Sequence, residues 1–162
     1  MKLYLKRNTT DEGISFNEYD KNENIVFNAV SSIDSSLKMS IESRSGEPFS
    51  MIRLNTLLFT YFTIRCRRHF YVLVPCVRDT FSFAIYGSTY RFTGNIITGS
   101  FIMTNSNGEC MMKMEKTLTR NGDEAFELEI LDSDHKMFLI SSAICAASYQ
   151  VIAEPNAPGV CC

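Results

Sequence analysis

The chain has 162 residues, of which 45% are hydrophobic and 21% charged; this excludes general disorder and suits one domain with a real core. A formal net charge of −2 provides no global field for nucleic acid, so any anion site must be a local patch. The six cysteines include no C-x-x-C pair and read as free thiols rather than a disulfide or metal framework.

The opening "MKLYLKRNTTDEG" carries Lys2, Lys6 and Arg7 with no apolar block behind them, so no secretory leader is expected. Beyond it, most of the chain alternates with period two. Leu37, Met39 and Ile41 face one way, while Lys38, Ser40 and Glu42 face the other. Phe81, Phe83 and Ile85 oppose Ser82 and Ala84, and Phe126, Leu128 and Ile130 oppose Glu127 and Glu129. This is the pattern of strands with one buried and one wet face. Polar turns separate them: "DKNEN", "ESRSG", "YGST", "TNSNG" and "TRNGD", with hairpin-forming Asn-Gly at Asn107–Gly108 and Asn121–Gly122.

A weak repeat also emerges. An apolar strand end is followed five positions later by a turn residue at Tyr19/Asn24, Ile41/Gly46, Ile64/His69, Met103/Gly108 and Ile130/His135. Four of these lead into another strand and the fifth into a helix. About a dozen antiparallel strands are expected in a single domain over 1–153, with 154–162 as a loose tail.

The segment "FTIRCRRHFYVLVPCVR" at 62–78 holds the densest positive charge. With Phe62, Ile64 and Cys66 inward, Arg65 and Arg67 point outward, Arg68 and His69 occupy a turn, and Arg78 lies in a following loop. Guanidinium forks suit phosphate oxygens, which makes Arg65, Arg67, Arg68 and Arg78 a candidate anion or lipid patch. The alternative is a solvated edge whose charges discourage sheet-to-sheet pairing.

The last element is "DSDHKMFLISSAICAAS" at 132–148, read as a helix over about 134–148. No broad polar face remains on it. Met137, Phe138, Leu139, Ile140, Ala143, Ile144, Cys145 and Ala147 must all be covered, and a closed sheet can do that. Twelve strands spaced about 4.8 Å apart and tilted near 40° enclose a radius of roughly 12 Å. That leaves room for one helix about 10 Å across. The expected fold is therefore mainly β, a closed antiparallel barrel of about twelve strands around a buried C-terminal helix. The apolar run is about half of the roughly 20 residues needed to span a bilayer, so no transmembrane segment is expected.

The opening "MKLYLKR", "YRFTGN" leading to "GSFIMTNSNGECMMKMEK", and "FELEILDSDHKMFLISSAICA" resemble the LURP-one-related family. That family is a branch of the tubby C-terminal-like and phospholipid scramblase superfamily, and the resemblance covers nearly the whole chain. It implies a twelve-stranded barrel around a hydrophobic helix. It also implies two functional leads: phosphoinositide head groups bound by basic surface residues, and calcium bound by an acidic stretch before the helix. LURP-one-related proteins themselves carry no established activity.

The acidic lead-in here is thin. Asp132 and Asp134, with Glu129 nearby, offer too few of the six to eight oxygens calcium takes, so Asp132 and Asp134 are read as helix caps. No G-x-S-x-G, H-E-x-x-H or G-x-x-x-x-G-K motif is present, both histidines sit at turns, and a Cys145 nucleophile would be buried. No catalytic residue, cofactor or metal is expected. The terminal Cys161–Cys162 pair reads as an exposed tail, with double prenylation as the alternative.

These readings describe a non-catalytic, cytoplasmic barrel module, peripheral to a membrane in its lipid-binding version, whose partner is an anionic phospholipid head group or a protein. One alternative is a lipid-handling protein or enzyme with a pocket at a barrel mouth; another is a transcription-related DNA-binding protein, which the net charge disfavours. The sequence leaves the oligomeric state open.

Overall fold

Alternating apolar residues and turn signals give twelve strands and one helix in the computed structural model. It describes residues 1–10, 13–22, 24–32, 38–45, 48–56, 60–77, 81–119 and 122–153. The first six strands are β1 (Lys2–Thr10), β2 (Gly13–Tyr19), β3 (Ile25–Ser32), β4 (Lys38–Ser43), β5 (Pro48–Asn55) and β6 (Tyr61–Cys66). The rest are β7 (His69–Val77), β8 (Phe81–Tyr86), β9 (Arg91–Asn95), β10 (Ser100–Thr104), β11 (Cys110–Leu118) and β12 (Glu124–Ile130), followed by α1 (Lys136–Ala153). Each strand pairs antiparallel with its sequence neighbours, and β1 also pairs with β12, so the sheet closes into a barrel without a free edge. Closure is locked where the Met1 ammonium donates to the Ile130 carbonyl at 2.6 Å.

In such a meander every even-numbered strand ends, and every odd-numbered strand begins, at the same mouth. This upper mouth is also where α1 starts. The five-residue repeat is the sequence trace of that geometry, because all five of its members fall there. At three of them, β2–β3, β4–β5 and β10–β11, the register slips by one residue just before the turn. The Ile64/His69 member differs: Cys66 pairs directly with His69, leaving only Arg67 and Arg68 as the turn. Two corrections follow. Arg67 belongs to the turn rather than to the outward row of β6, and His69 opens β7.

The Asn107–Gly108 signal also resolves differently from a two-residue hairpin, while Asn121 of the second signal lies outside the described residues. Gly108 takes φ 82° at the fourth position of a five-residue loop closed by the Asn105 amide on the Glu109 carbonyl at 3.0 Å. The Asn105 side chain accepts from the amides of Asn107 and Glu109 at the centre of that loop. Asp20 builds the β2–β3 turn in the same way, accepting from Asn22 and Asn24.

α1 fills the barrel. From Phe138 to Ser148 every side chain is buried: Phe138, Leu139, Ile140, Ala143, Ile144, Cys145, Ala146 and Ala147 are each at most 2% exposed. Met137, in the first turn, is only half-buried at the mouth. Contacts radiate from the helix in every direction. Tyr71 of β7 meets Phe138 at 4.2 Å, Ser50 of β5 bonds Ser141 at 2.6 Å, and Phe81 of β8 stacks on Tyr149 at 5.4 Å. The helical hydroxyls are satisfied locally, Ser141 on the Met137 carbonyl and Ser142 on the Phe138 carbonyl.

The helix begins two residues later and runs five residues further than the expected 134–148. The late start comes from Asp132, which holds residues 134 and 135 in a turn. The longer end follows because Tyr149 packs against the core and Gln150 is buried, its side-chain amide donating to the Ile96 carbonyl at 2.8 Å. The expected tail, 154–162, lies outside the described residues, as does Cys161–Cys162. No described helix is long and apolar enough to cross a membrane.

One glycine is demanded by contact rather than by its backbone angle. Gly94 sits opposite both Phe81 and Phe101, whose rings meet edge to face at 5.9 Å across it. A Cβ there would lie 2.3 Å from the Ser100 carbonyl oxygen and 2.7 Å from the Phe101 Cα. Backbone atoms cannot swing away, so Gly94→Ala is expected to destabilise by about 2–3 kcal/mol through overpacking. A thermal melt within a degree of the parent would refute that account.

Candidate functional site

The outer wall of β4 to β7 gathers cations by register. One outward row runs Ser40, Met51, Arg65, Phe70 across four strands, each residue facing the next. The row beside it runs Lys38, Arg53, Thr63, Val72, Tyr86. Above both, Arg67 and Arg68 form the exposed turn at the upper mouth. Lys38, Arg53, Arg65, Arg67 and Arg68 are all exposed. Arg78 lies outside the described residues.

Two features of this wall work against stability. Lys38 and Arg53 stand directly opposite one another, an arrangement that is unfavourable for like charges. Arg67 adopts φ 51°, the left-handed region, where a side chain costs about 1 kcal/mol relative to glycine.

The opposite side of the barrel pairs its lysines with carboxylates. Lys2 pairs with Glu127 at 2.7 Å, Lys6 with Asp123 at 2.6 Å, Lys116 with Glu124 at 2.7 Å and Lys113 with Glu129 at 3.6 Å. All four pairs lie on or beside β1, β11 and β12. Among the described residues, Lys38, Arg53, Arg65, Arg67 and Arg68 have no carboxylate partner.

Exposed apolar side chains are interleaved with these cations. Met51 is 41% exposed, Phe70 59% and Tyr86 62%. A shallow groove of about 180 Å³ opens beside them, lined by Ser40, Pro48, Phe49, Ser50, Met51, Arg65 and Arg67. A larger hollow of about 390 Å³ lies elsewhere, among Lys6, Arg7, Asn8, Asp123 and Glu124. Its charges largely neutralise one another, so it offers an anion far less.

Sequence reasoning found the arginines of 65–68 but missed Lys38 and Arg53. Period two alone told that Lys38 was outward; only the hairpin register shows that it faces Arg53 and borders the same patch.

The acidic lead-in to α1 is occupied by the turn itself. Asp132 accepts from the amides of Asp134 and His135 at 2.9 and 3.4 Å through one oxygen, and its other oxygen contacts the His135 ring nitrogen at 2.6 Å. Partial burial works against its charge, but the His135 ring and these amides outweigh it and hold the carboxyl below its usual range. Asp134 is exposed and makes none of these capping bonds, which corrects its reading as a cap. Among the described residues, no group of three or more His, Cys, Asp or Glu side chains could hold a metal ion.

The buried thiols are chemically quiet. Burial pushes the Cys145 thiol well up, with Cys66 adding to the effect, and burial raises Cys66 as well against hydrogen bonds from Ser141 and Ser50. Both therefore stay protonated near neutral pH. At the upper mouth, Phe138 lies between the rings of Tyr71 and Tyr90, and Tyr90 also meets His135 at 5.6 Å.

Comparison with known proteins gives no matching family model, curated sequence or solved structure.

Proposed function

We propose that the protein is a non-catalytic docking module that holds an anionic phospholipid surface against the outer wall of β4 to β7. The observation that carries this reading is the set Lys38, Arg53, Arg65, Arg67 and Arg68, unpaired among the described residues and interleaved with exposed Met51, Phe70 and Tyr86. Guanidinium groups suit phosphate oxygens, and aromatic or Met side chains suit the boundary between head groups and acyl chains. The groove bordered by Arg65 and Arg67 gives one head group a place to sit. A bound anion would relieve the repulsion between Lys38 and Arg53, and contacts to it would offset the backbone strain at Arg67, which favours binding over a merely solvated edge.

The resemblance to tubby-like proteins points to the same ligand class. A cytoplasmic site, peripheral to a membrane, follows from the ligand, because anionic lipids concentrate on the cytoplasmic leaflet. A lipid-handling or catalytic pocket at the upper mouth has less support, since Tyr71, Phe138 and Tyr90 stack across it.

Co-sedimentation with vesicles tests the proposal. Vesicles containing phosphatidylserine or a phosphoinositide should retain the protein at low salt and release it as salt rises, while neutral phosphatidylcholine vesicles should not bind it. Each basic residue near such a surface contributes about 1 kcal/mol, so reversing Arg65 and Arg67 to Glu together should weaken binding at least about tenfold. Arg67→Gly separates the two roles of that residue: it should raise stability by about 1 kcal/mol while weakening binding. Salt-insensitive binding, or binding untouched by the double reversal, would remove the lipid reading.

A further inference from the structure

Glu18 is the one inward carboxyl on the described barrel wall. It follows Phe16 at the strand period of two, points into the interior and is 1% exposed. Neither of its carboxyl oxygens has a hydrogen-bond partner. A buried carboxyl without a hydrogen-bond partner costs stability, and far more when ionised than when neutral. Its cross-strand neighbours are Leu5 on β1 and Phe27 on β3, both buried and apolar. Among the described residues, the charge that reaches it comes from α1, where Lys136 opens the helix. The Lys136 ammonium is held elsewhere, 4.9 Å from the centre of the Phe27 ring.

We infer that Glu18 and Lys136 form a proton-operated latch at the upper mouth: with Glu18 neutral the ammonium rests on Phe27, and with Glu18 ionised it crosses to the carboxylate. The proton leaves to solvent and no other group changes charge. The driving force is plain. An unpaired carboxylate in an apolar interior is far less stable than one beside an ammonium, whereas a neutral carboxyl offers Lys136 little that the ring does not. Burial places the change within reach, since it pushes Glu18 up to about 8 against the opposing charge of Lys136. The movement frees Phe27, which meets Phe49 edge to face at 5.1 Å, and Phe49 lines the groove of Arg65 and Arg67. The latch is thus one ring contact from that groove, but it stands whether or not a lipid binds there.

Nuclear magnetic resonance of the full chain, with carboxyl-labelled glutamate and labelled phenylalanine, tests the latch between pH 5 and 10. The Glu18 carboxyl should titrate near pH 8, with the Phe27 ring signals moving at the same midpoint. Lys136→Met should raise the Glu18 midpoint by roughly one pH unit and leave the Phe27 signals still. Glu18→Gln mimics the neutral form, so it should fold and keep the low-pH Phe27 signals throughout. A Glu18 midpoint in the ordinary carboxylate range, a midpoint unmoved by Lys136→Met, or Phe27 signals that ignore the titration would each overturn the latch.

Discussion

Ile144→Asp is expected to abolish the cooperative thermal transition followed by circular dichroism. Ile144 is 1% exposed and lies in the middle of a helix covered on every side by the barrel. An unpaired carboxylate placed there costs several kcal/mol, and the lost packing adds more. Domain stability as a whole is about 5–15 kcal/mol, so the margin disappears. Ile140→Asp should behave alike, because Ile140 is 0% exposed. Two controls make the test specific. Ile144→Val removes one methylene and should cost only about 1 kcal/mol. Ile97→Asp, at a turn position 86% exposed, should change stability by less than about 0.5 kcal/mol. A parent-like melt for Ile144→Asp would mean that the helix does not run through the barrel.

The helix was legible because its composition leaves only one environment possible. Seventeen consecutive residues, Met137 to Ala153, lack any charge, and a sheet that wraps around them satisfies both the helix and its own edges. The strand count was legible in part for a similar reason, since polar turn chemistry marks several of the reversals. What period two does not carry is the identity of neighbours. Lys38 and Arg53 are fifteen positions apart and become partners only through the β4–β5 register. Arg67 and Arg68 were visible as charges, but their turn depends on Cys66 meeting His69, which no local residue signals. The C-terminal end of the helix was misplaced because Tyr149 and Gln150 look polar in sequence yet pack against Phe81 and Ile96. Glu18 escaped notice for the opposite reason. In "ISFNEY" it occupies an inward position, but a glutamate there reads as solvent-facing unless the phase set by Phe16 is trusted over its charge.

That inward carboxyl dictates how stability should depend on pH. Glu18 has an ordinary value of 4.5 that burial raises to about 8, with Lys136 opposing the rise. Between those values the folded chain holds a proton that the unfolded chain has released, so raising the pH favours unfolding. The contribution of the neutral carboxyl is fully present below 4.5, declines across the window and is gone above 8. At about 1.4 kcal/mol per pH unit, the decline amounts to roughly 3 kcal/mol by pH 7 and about 5 kcal/mol by pH 8. Glu18→Leu removes both the titration and the unpartnered oxygens while keeping similar bulk beside Leu5 and Phe27. It should therefore raise stability at pH 7 by on the order of 3 kcal/mol, a shift of about 6–12 °C in Tm for a domain of this size. The difference between Glu18→Leu and the parent should also shrink steadily as pH falls toward 4.5, because there the parent no longer loses a proton on unfolding. Melting curves collected at pH 5, 6, 7 and 8 separate the cases. A constant difference would place the gain in packing alone, and a difference that grows toward acid would show that Glu18 is ionised and paired inside the barrel.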